Sequence, residues 1–275
     1  MSRGSIEIRA VTPRIGAEIS GIDLTRPLTN SVVDVLHRAL ADHQVLFFRD
    51  QKLDLERQKA LGRYFGELHI HPNTPGPEGH PEILPIHADA SSKRIAGENW
   101  HSDVSCDELP PLGSILYLHT VPEVGGDTFF ASMFAAYEAL SEPMKAYLDK
   151  LTATHSGEAS YRRTNALLGI DDRGKVFPKA VHPVVRTHPV NGRKALFVNP
   201  GFTTHINELP RDEGRAVLDF LFRHATQPAF QVRFRWQPHS IAFWDNRSVQ
   251  HLALWDYFPE TRSGYRVTVK GDRPV

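Results

Sequence analysis

The sequence predicts a mainly β protein with flanking helices, its strands closed on themselves or stacked as two sheets. Two observations carry this. From Trp100 onward, short strand-like runs recur between turn residues: Ser114 to Leu118, Thr128 to Ala131, Val184 to His188 and Ala195 to Val198. Helical periodicity is confined to a few segments that would flank such a core. No internal repeat, low-complexity tract or linker divides the chain, so residues 1–275 read as one domain.

Taken in order, Thr29 or Asn30 caps a helix running to about Asp42, with Val32, Val33, Val35, Leu36 and Leu40 at helical spacing. Val45 to Phe48 is an apolar run of the length of a buried strand. A second helix spans about Leu55 to Phe65, where Gly66 ends it and Leu68 to His71 is extended. Residues 72–97 are rich in Pro, Gly, Ser and His without a clear period, the pattern of a long, mobile functional loop or lid. Helices are expected at Tyr137 to Leu151, where Ser141 and Pro143 suit a cap and a first turn, and at Arg211 to Ala225. Phe230 to Trp236 alternates apolar and polar residues, and Ser240 to Trp244 follows a Gln-Pro-His turn. These two are expected to be neighbouring antiparallel strands.

Composition narrows the classes. Apolar residues make up 40% and charged residues 23%, which excludes a disordered, collagen-like or coiled-coil chain. Basic and acidic residues balance at 32 each, so no overall basic field exists to hold nucleic acid or an anionic membrane, and anion recognition must be local. The single cysteine, Cys106, supplies neither an internal disulfide nor a multi-cysteine metal site, which points to a reduced, cytoplasmic setting. The N-terminal residues carry charges and no apolar core of a signal peptide, and no uncharged stretch is long enough to span a membrane.

His101-Ser102-Asp103 puts an imidazole and a carboxylate two residues apart, on one face of an extended segment. With a third ligand from His251, two histidines and one carboxylate form the facial triad that holds non-haem Fe(II) and leaves positions open. On its own such a pair is more often a surface or hydrogen-bonded turn than a ligand pair, in a chain with 15 histidines. Arg262 and Arg266 lie four apart in a strand-like run, facing the same way about 13 Å from each other. Tyr265, Val267 and Val269 make the opposite, apolar face. Periodicity leaves open whether the arginine face meets a cavity or solvent.

Trp100-His101-Ser102-Asp103-Val104, Pro110-Pro111, Gly125-Gly126-Asp127-Thr128, His182 to Pro189, Trp244-Asp245-Asn246-Arg247 and Gln250-His251 occur in the order of the taurine dioxygenase family (TauD/TfdA). The chain is thereby similar to these Fe(II)/2-oxoglutarate-dependent oxygenases from about residue 6 to 274, and Phe65 to Pro72 and Leu196 to Asn199 with Gly201 to Thr204 resemble the taurine branch. The resemblance implies a double-stranded β-helix, or jelly-roll, with Fe(II) held by His101, Asp103 and His251 as the catalytic centre. It also implies 2-oxoglutarate held at its distal carboxylate by Arg262, with Thr128 in support, O2 as co-substrate, and a dimer or tetramer. A guanidinium suits that carboxylate because it grips two oxygens at once. By the same resemblance Arg266 and His71 hold the anionic group of a small substrate, Phe202 packs on its chain, and Val104 lies beside the metal pair. Thr74 and Gly97 depart from the taurine pattern, which has Tyr and Asn there. The expected reaction is hydroxylation of a small anion, taurine or another alkanesulfonate with release of sulfite and an aldehyde, or an alkyl sulfate or aryloxy carboxylate. A zinc-binding or hydrolytic cupin-like protein is the alternative of another class, and Arg262 with Thr128 discriminates against it.

The remaining candidates read as structure. His69 has the same spacing from His71 as His101 has from Asp103, yet no carboxylate in register. His182 and His188 precede prolines and read as strand ends in the core. Phe243, Trp244 and Trp255 read as core aromatics, Asp245-Asn246-Arg247 as a turn delivering His251, and Cys106 as a small buried residue near the site.

Overall fold

The computed structural model describes residues 6–71 and 74–275, so residues 1–5 and the first two residues of the expected lid, 72 and 73, lie outside the described residues. The strands are β1 (Glu7–Ala10), β2 (Ala17–Ser20), β3 (Val45–Phe48), β4 (Ile83–Ala88), β5 (Gly113–Thr120), β6 (Thr128–Ser132), β7 (Thr152–Ser156), β8 (Lys179–Pro183), β9 (Val185–Thr187), β10 (Lys194–Leu196), β11 (Thr203–Ile206), β12 (Gln231–Phe234), β13 (Ser240–Asp245), β14 (Val249–Ala253) and β15 (Arg262–Val269). The helices are α1 (Asn30–His43), α2 (Leu55–Arg63), α3 (Met133–Glu138), α4 (Glu142–Leu148), α5 (Glu158–Leu168) and α6 (Arg211–Ala225).

Side-chain alternation along the central strands builds the architecture. The larger sheet has the order β1-β2-β3-β13-β5-β15-β4, and a smaller one has the order β12-β6-β14. Along β3, β5 and β13, Leu46, Phe48, Ile115, Tyr117, Ile241 and Phe243 pack with Leu36 and Leu40 of α1 and Leu61 of α2. Their alternate neighbours Val45, Phe47, Leu116, Leu118, Ala242 and Trp244 turn the other way and pack on Phe130, Val232, Phe234 and Val249 of the smaller sheet. Phe47 stacks on Phe234 with ring centroids 4.0 Å apart, so two sheets close face to face around a dry core. This is the mainly β jelly-roll with flanking helices that the sequence predicts. Among the described residues no helix is long and apolar enough to cross a membrane.

The same alternation settles the face of β15. Val267 and Val269 join the helix-side core with Tyr265 against it, so Arg262, Gly264, Arg266 and Thr268 turn inward between the sheets. Gly264 is required there, because a Cβ would lie 2.0 Å from the carbonyl oxygen of Tyr117 on β5.

Several expectations need correction. Phe230 to Trp236 and Ser240 to Trp244 are not neighbours: β12 pairs with β6, whereas β13 pairs with β3 and β5 in the other sheet. Alternation specifies a two-faced strand, not its partner, and the turn through Gln237 to His239 carries the chain from one sheet to the other. The segment 72–97 is not loop throughout, since β4 runs within it as the edge partner of β15. The helix expected at Tyr137 to Leu151 is two: α3 begins earlier and α4 starts anew at Ser141, whose Oγ accepts from the Met144 N–H. Within the expected run Val184 to His188 one strand forms, β9, over Val185–Thr187. Helix α5 falls in a stretch that periodicity leaves unassigned.

Candidate active site

Three elements converge at one end of the sandwich. On β14, His251 is paired with Phe130 of β6, so it faces inward with Phe130 and Val249. The segment carrying His101 is held against β14 by a pair of backbone bonds, His101 N–H to His251 O at 3.1 Å and His251 N–H to His101 O at 2.9 Å. That pairing brings the two imidazoles to a centroid distance of 4.1 Å. Asp103 Oδ1 lies 3.6 Å from His101 Nε2 and 3.9 Å from His251 Nε2. One ligand atom from each of the three residues falls within 4.8 Å of the others.

This donor set fits a divalent first-row metal: two imidazole nitrogens and one carboxylate oxygen on one side, the other side open. Burial pushes His251 well below its ordinary pKa, helped by the neighbouring His101, so its imidazole is neutral and one of its two ring nitrogens carries a free lone pair for a metal. Burial alone would raise Asp103, but the charge of Arg266 beside it outweighs burial and holds the carboxylate ionised, well below the usual range. His101 Nδ1 lies 2.8 Å from the Asn99 carbonyl, which fixes the ring and turns Nε2 towards Asp103.

Arg262, at the other end of the inward face, is 4% exposed. Its Nε donates to the Gly126 carbonyl at 3.0 Å, its Nη2 donates to Thr128 Oγ1 at 3.4 Å, and the guanidinium stacks over Trp236 at 5.5 Å. Trp236 Nε1 donates to the same hydroxyl at 2.9 Å. These partners are a carbonyl, a hydroxyl and a ring, none of them an anion, and burial draws the Arg262 pKa down to about 10. A cavity of about 80 Å³ opens onto Arg262, lined also by Ile86, Ala88, Ile95 and Tyr257. A buried cation without a carboxylate partner beside a cavity has the chemistry to receive a carboxylate. The turn that supplies the Gly126 carbonyl needs its two glycines, with φ of 86° at Gly125 and 71° at Gly126.

Arg266 makes a contact that the sequence does not foretell. Its Nη1 donates to Asp103 Oδ1 at 2.6 Å, making it the counter-ion of that carboxylate, while its Nε is buried without a partner among the described residues. His71 is half-buried nearby, and burial, followed by Arg266, pushes its pKa down to about 4, so it is neutral at pH 7. Phe202, Val104, Cys106 and Tyr161 form an apolar cluster against which Phe177 packs. Phe202 meets the ring of His101 at 6.3 Å and Tyr161 meets that of His71 at 6.0 Å, so the cluster walls the mouth beside the triad. Val104 has a φ of 47°, a conformation costly for a β-branched side chain and held here by burial. Gly97, at φ 86°, accepts from Ala253 N–H at 2.9 Å, and a Cβ on it would come 3.3 Å from His101 Cε1. Thr74 is half-buried in the loop beyond His71.

Sequence reasoning missed three neighbours of the site. Tyr161 reaches the apolar wall from α5, which had no periodic signal. Trp236 reads in sequence only as the end of an alternating run. Asn246 reads only as part of a turn, yet its Oδ1 accepts from Asp103 N–H at 3.3 Å. The structural readings of other residues agree with their surroundings: Cys106 is fully buried, His188 Nε2 meets Asp245 Oδ2 at 3.0 Å, and Arg247 Nε donates to Asp245 Oδ1 at 2.9 Å.

A jelly-roll with two histidines and a carboxylate at its mouth, beside a buried arginine, defines the class of metal- and 2-oxoglutarate-dependent oxygenases. Residues 7–268 match the family described as taurine catabolism dioxygenase TauD, TfdA family, and the chain belongs to that family. It is 35% identical to an alpha-ketoglutarate-dependent sulfonate dioxygenase of Saccharomyces cerevisiae, over 99% of this chain and 68% of that protein. With an alpha-ketoglutarate-dependent sulfate ester dioxygenase of Pseudomonas putida it shares 36% identity, over 98% of this chain and 91% of that one. A solved taurine dioxygenase from Burkholderia xenovorans superposes with a TM-score of 0.85 at 37% identity, covering 99% of this chain and 91% of that chain. The protein is a 2-oxoglutarate-dependent dioxygenase.

Proposed function

We propose that the enzyme hydroxylates a small organic monoanion, an alkanesulfonate above all, with His101, Asp103 and His251 holding Fe(II). The observation that carries this reading is the pair of buried, inward-facing arginines on β15, Arg262 and Arg266. Two cationic anchors suit two anions, the 2-oxoglutarate co-substrate and the substrate. Bound at the triad, Fe(II) with 2-oxoglutarate and O2 supplies the oxidation of a C–H bond to C–OH, with succinate and carbon dioxide as co-products.

The chain's own residues bind, orient and exclude water. Arg262 and Thr128 take the distal carboxylate of 2-oxoglutarate, and Trp236 covers the guanidinium so that water does not compete. Arg266 Nε and the neutral His71 offer N–H donors to the substrate anion. Val104, Phe202 and Tyr161 enclose its carbon chain. Hydroxylation at the carbon bearing a sulfonate gives an unstable hydroxysulfonate, which breaks its C–S bond to leave an aldehyde and sulfite. The apolar wall, together with Thr74 and Gly97 where the taurine pattern has Tyr and Asn, favours a longer or less polar chain than that of taurine. The alkyl sulfate reading shares this geometry, and the sulfate ester relative supports it.

The test is succinate and sulfite formation by Fe(II)-loaded protein with taurine, longer alkanesulfonates, alkyl sulfates and phenoxyacetates. Equal amounts of succinate and sulfite from one sulfonate are expected, with substrate KM raised about 100-fold or more in Arg266→Ala. Substrate-independent turnover, or an Arg266→Ala enzyme with unchanged KM, would overturn the anion reading.

A further inference from the structure

Asp103 has two carboxylate oxygens, and the hydrogen-bond directions around it assign them different tasks. An indole N–H and a backbone N–H are donors only. Trp244 Nε1 donates to Asn246 Oδ1 at 2.9 Å, and Asp103 N–H donates to the same oxygen at 3.3 Å. This fixes the amide of Asn246, so its Nδ2 is the end that faces Ser114, donating to Ser114 Oγ at 3.1 Å. Ser114 therefore accepts there, and its single proton goes to the nearest acceptor, Asp103 Oδ2 at 2.7 Å, in preference to Thr268 Oγ1 at 3.3 Å. All five residues are buried. Register places the relay: on β5, Ser114 lies opposite Trp244 of β13 and opposite Thr268 of β15. Oδ1, by contrast, faces His101 Nε2, His251 Nε2 and Arg266 Nη1.

From this we infer that Ser114, oriented by Asn246 and Trp244, is a positioning residue that reserves Oδ2 and makes Asp103 a one-oxygen ligand. The inference rests on the proposed metal site. Its consequence concerns space: a carboxylate bound through both oxygens takes one further coordination position, and the facial triad works by leaving positions open for the co-substrate and oxygen. Arg266 does not conflict with this assignment, because Oδ1 keeps a second lone pair.

The experiment uses Mn(II) as probe in the absence of substrate, on wild type, Ser114→Ala and the control Thr268→Val, each checked for an intact melting transition. Free Mn(II) measured by EPR gives the dissociation constant, and water-proton relaxation counts exchangeable waters on the bound ion. Expected are wild-type binding, and in Ser114→Ala either one bound water fewer or an affinity about tenfold weaker, the scale typical of lost outer-shell partners. Thr268→Val should match wild type in both. An unchanged water count with affinity within threefold in Ser114→Ala overturns the inference and leaves the metal site standing. Failure of the wild type to bind Mn(II) overturns the metal site itself, and the inference with it. If Ser114→Ala does not fold, Asn246→Leu, which removes the group that orients Ser114, is read by the same two criteria.

Discussion

If Arg262 holds 2-oxoglutarate as proposed, replacing it by Met should strengthen the fold while weakening the site, because the guanidinium is then buried for a partner that arrives only with the co-substrate. In the protein alone it is 4% exposed and bonds to a carbonyl and a hydroxyl. Drawing a guanidinium from 12.5 down to about 10 corresponds to roughly 3 kcal/mol of disfavoured charge. Methionine fills much of the same volume without that charge, so the protein without co-substrate should gain stability, by up to roughly 5 °C in Tm for that energy. Binding moves the other way. Two charge-assisted hydrogen bonds to one carboxylate, at about 1.5 to 3 kcal/mol each, are lost together. The 2-oxoglutarate dissociation constant should therefore rise by about 100-fold or more. Calorimetric titration of 2-oxoglutarate into Mn(II)-loaded protein without substrate reads the affinity, and scanning calorimetry without co-substrate reads the stability. Affinity within threefold of wild type would refute the assignment of Arg262, and a lowered Tm would refute the account of its burial.

Stability should fall as pH drops from about 6.5 towards 4. Burial, then the nearby His182, holds His155 down to about 3, and burial, then Arg266, holds His71 down to about 4. In that window the unfolded chain binds protons that the folded one refuses, so unfolding becomes easier by up to about 1.4 kcal/mol per pH unit for each histidine. Urea midpoints at pH 7, 6, 5 and 4 check this, and His155→Gln should flatten the slope by about one proton. Gly264→Ala should be severe, since its Cβ would meet the Tyr117 carbonyl at 2.0 Å and Leu118 Cα at 2.8 Å, both backbone. A loss of about 3 kcal/mol or more in a denaturation curve is expected, and a variant melting like wild type would show that β15 can shift.

The chemistry of the site was legible because it is written in residue types at fixed separations. His101, Asp103 and His251 were named as a triad, and the structure brings them together through one backbone pairing between the first and the last. What spacing left open was direction. The run Arg262 to Val269 has two faces, and only the stacking of the sheets decides which one is the cavity. Pairing partners were also hidden, as β12 and β13 demonstrate, because a strand's alternation encodes its faces and not its neighbours. Arg266 also reaches Asp103, a contact between residues 163 positions apart that no local pattern encodes. Helix α5 and Tyr161 were missed because most of that helix faces solvent and carries no apolar stripe.

The charges between the sheets constrain the substrate further. Asp103, Arg262 and Arg266 are buried, two cations against one anion, Asp127 beyond them is balanced by its ion pair with Arg233, and His251 and His71 are held neutral. Buried charge is tolerated only where it is balanced. A divalent metal adds two positive charges and 2-oxoglutarate removes two, which leaves the excess of one cation unchanged. A monoanion removes it, and a neutral substrate or a dianion does not. Sulfonates, sulfate monoesters and carboxylates carry one negative charge at neutral pH, whereas phosphate monoesters carry close to two. The expected outcome is discrimination against phosphate monoesters without any group aimed at phosphate itself, provided that His71 remains neutral at the working pH.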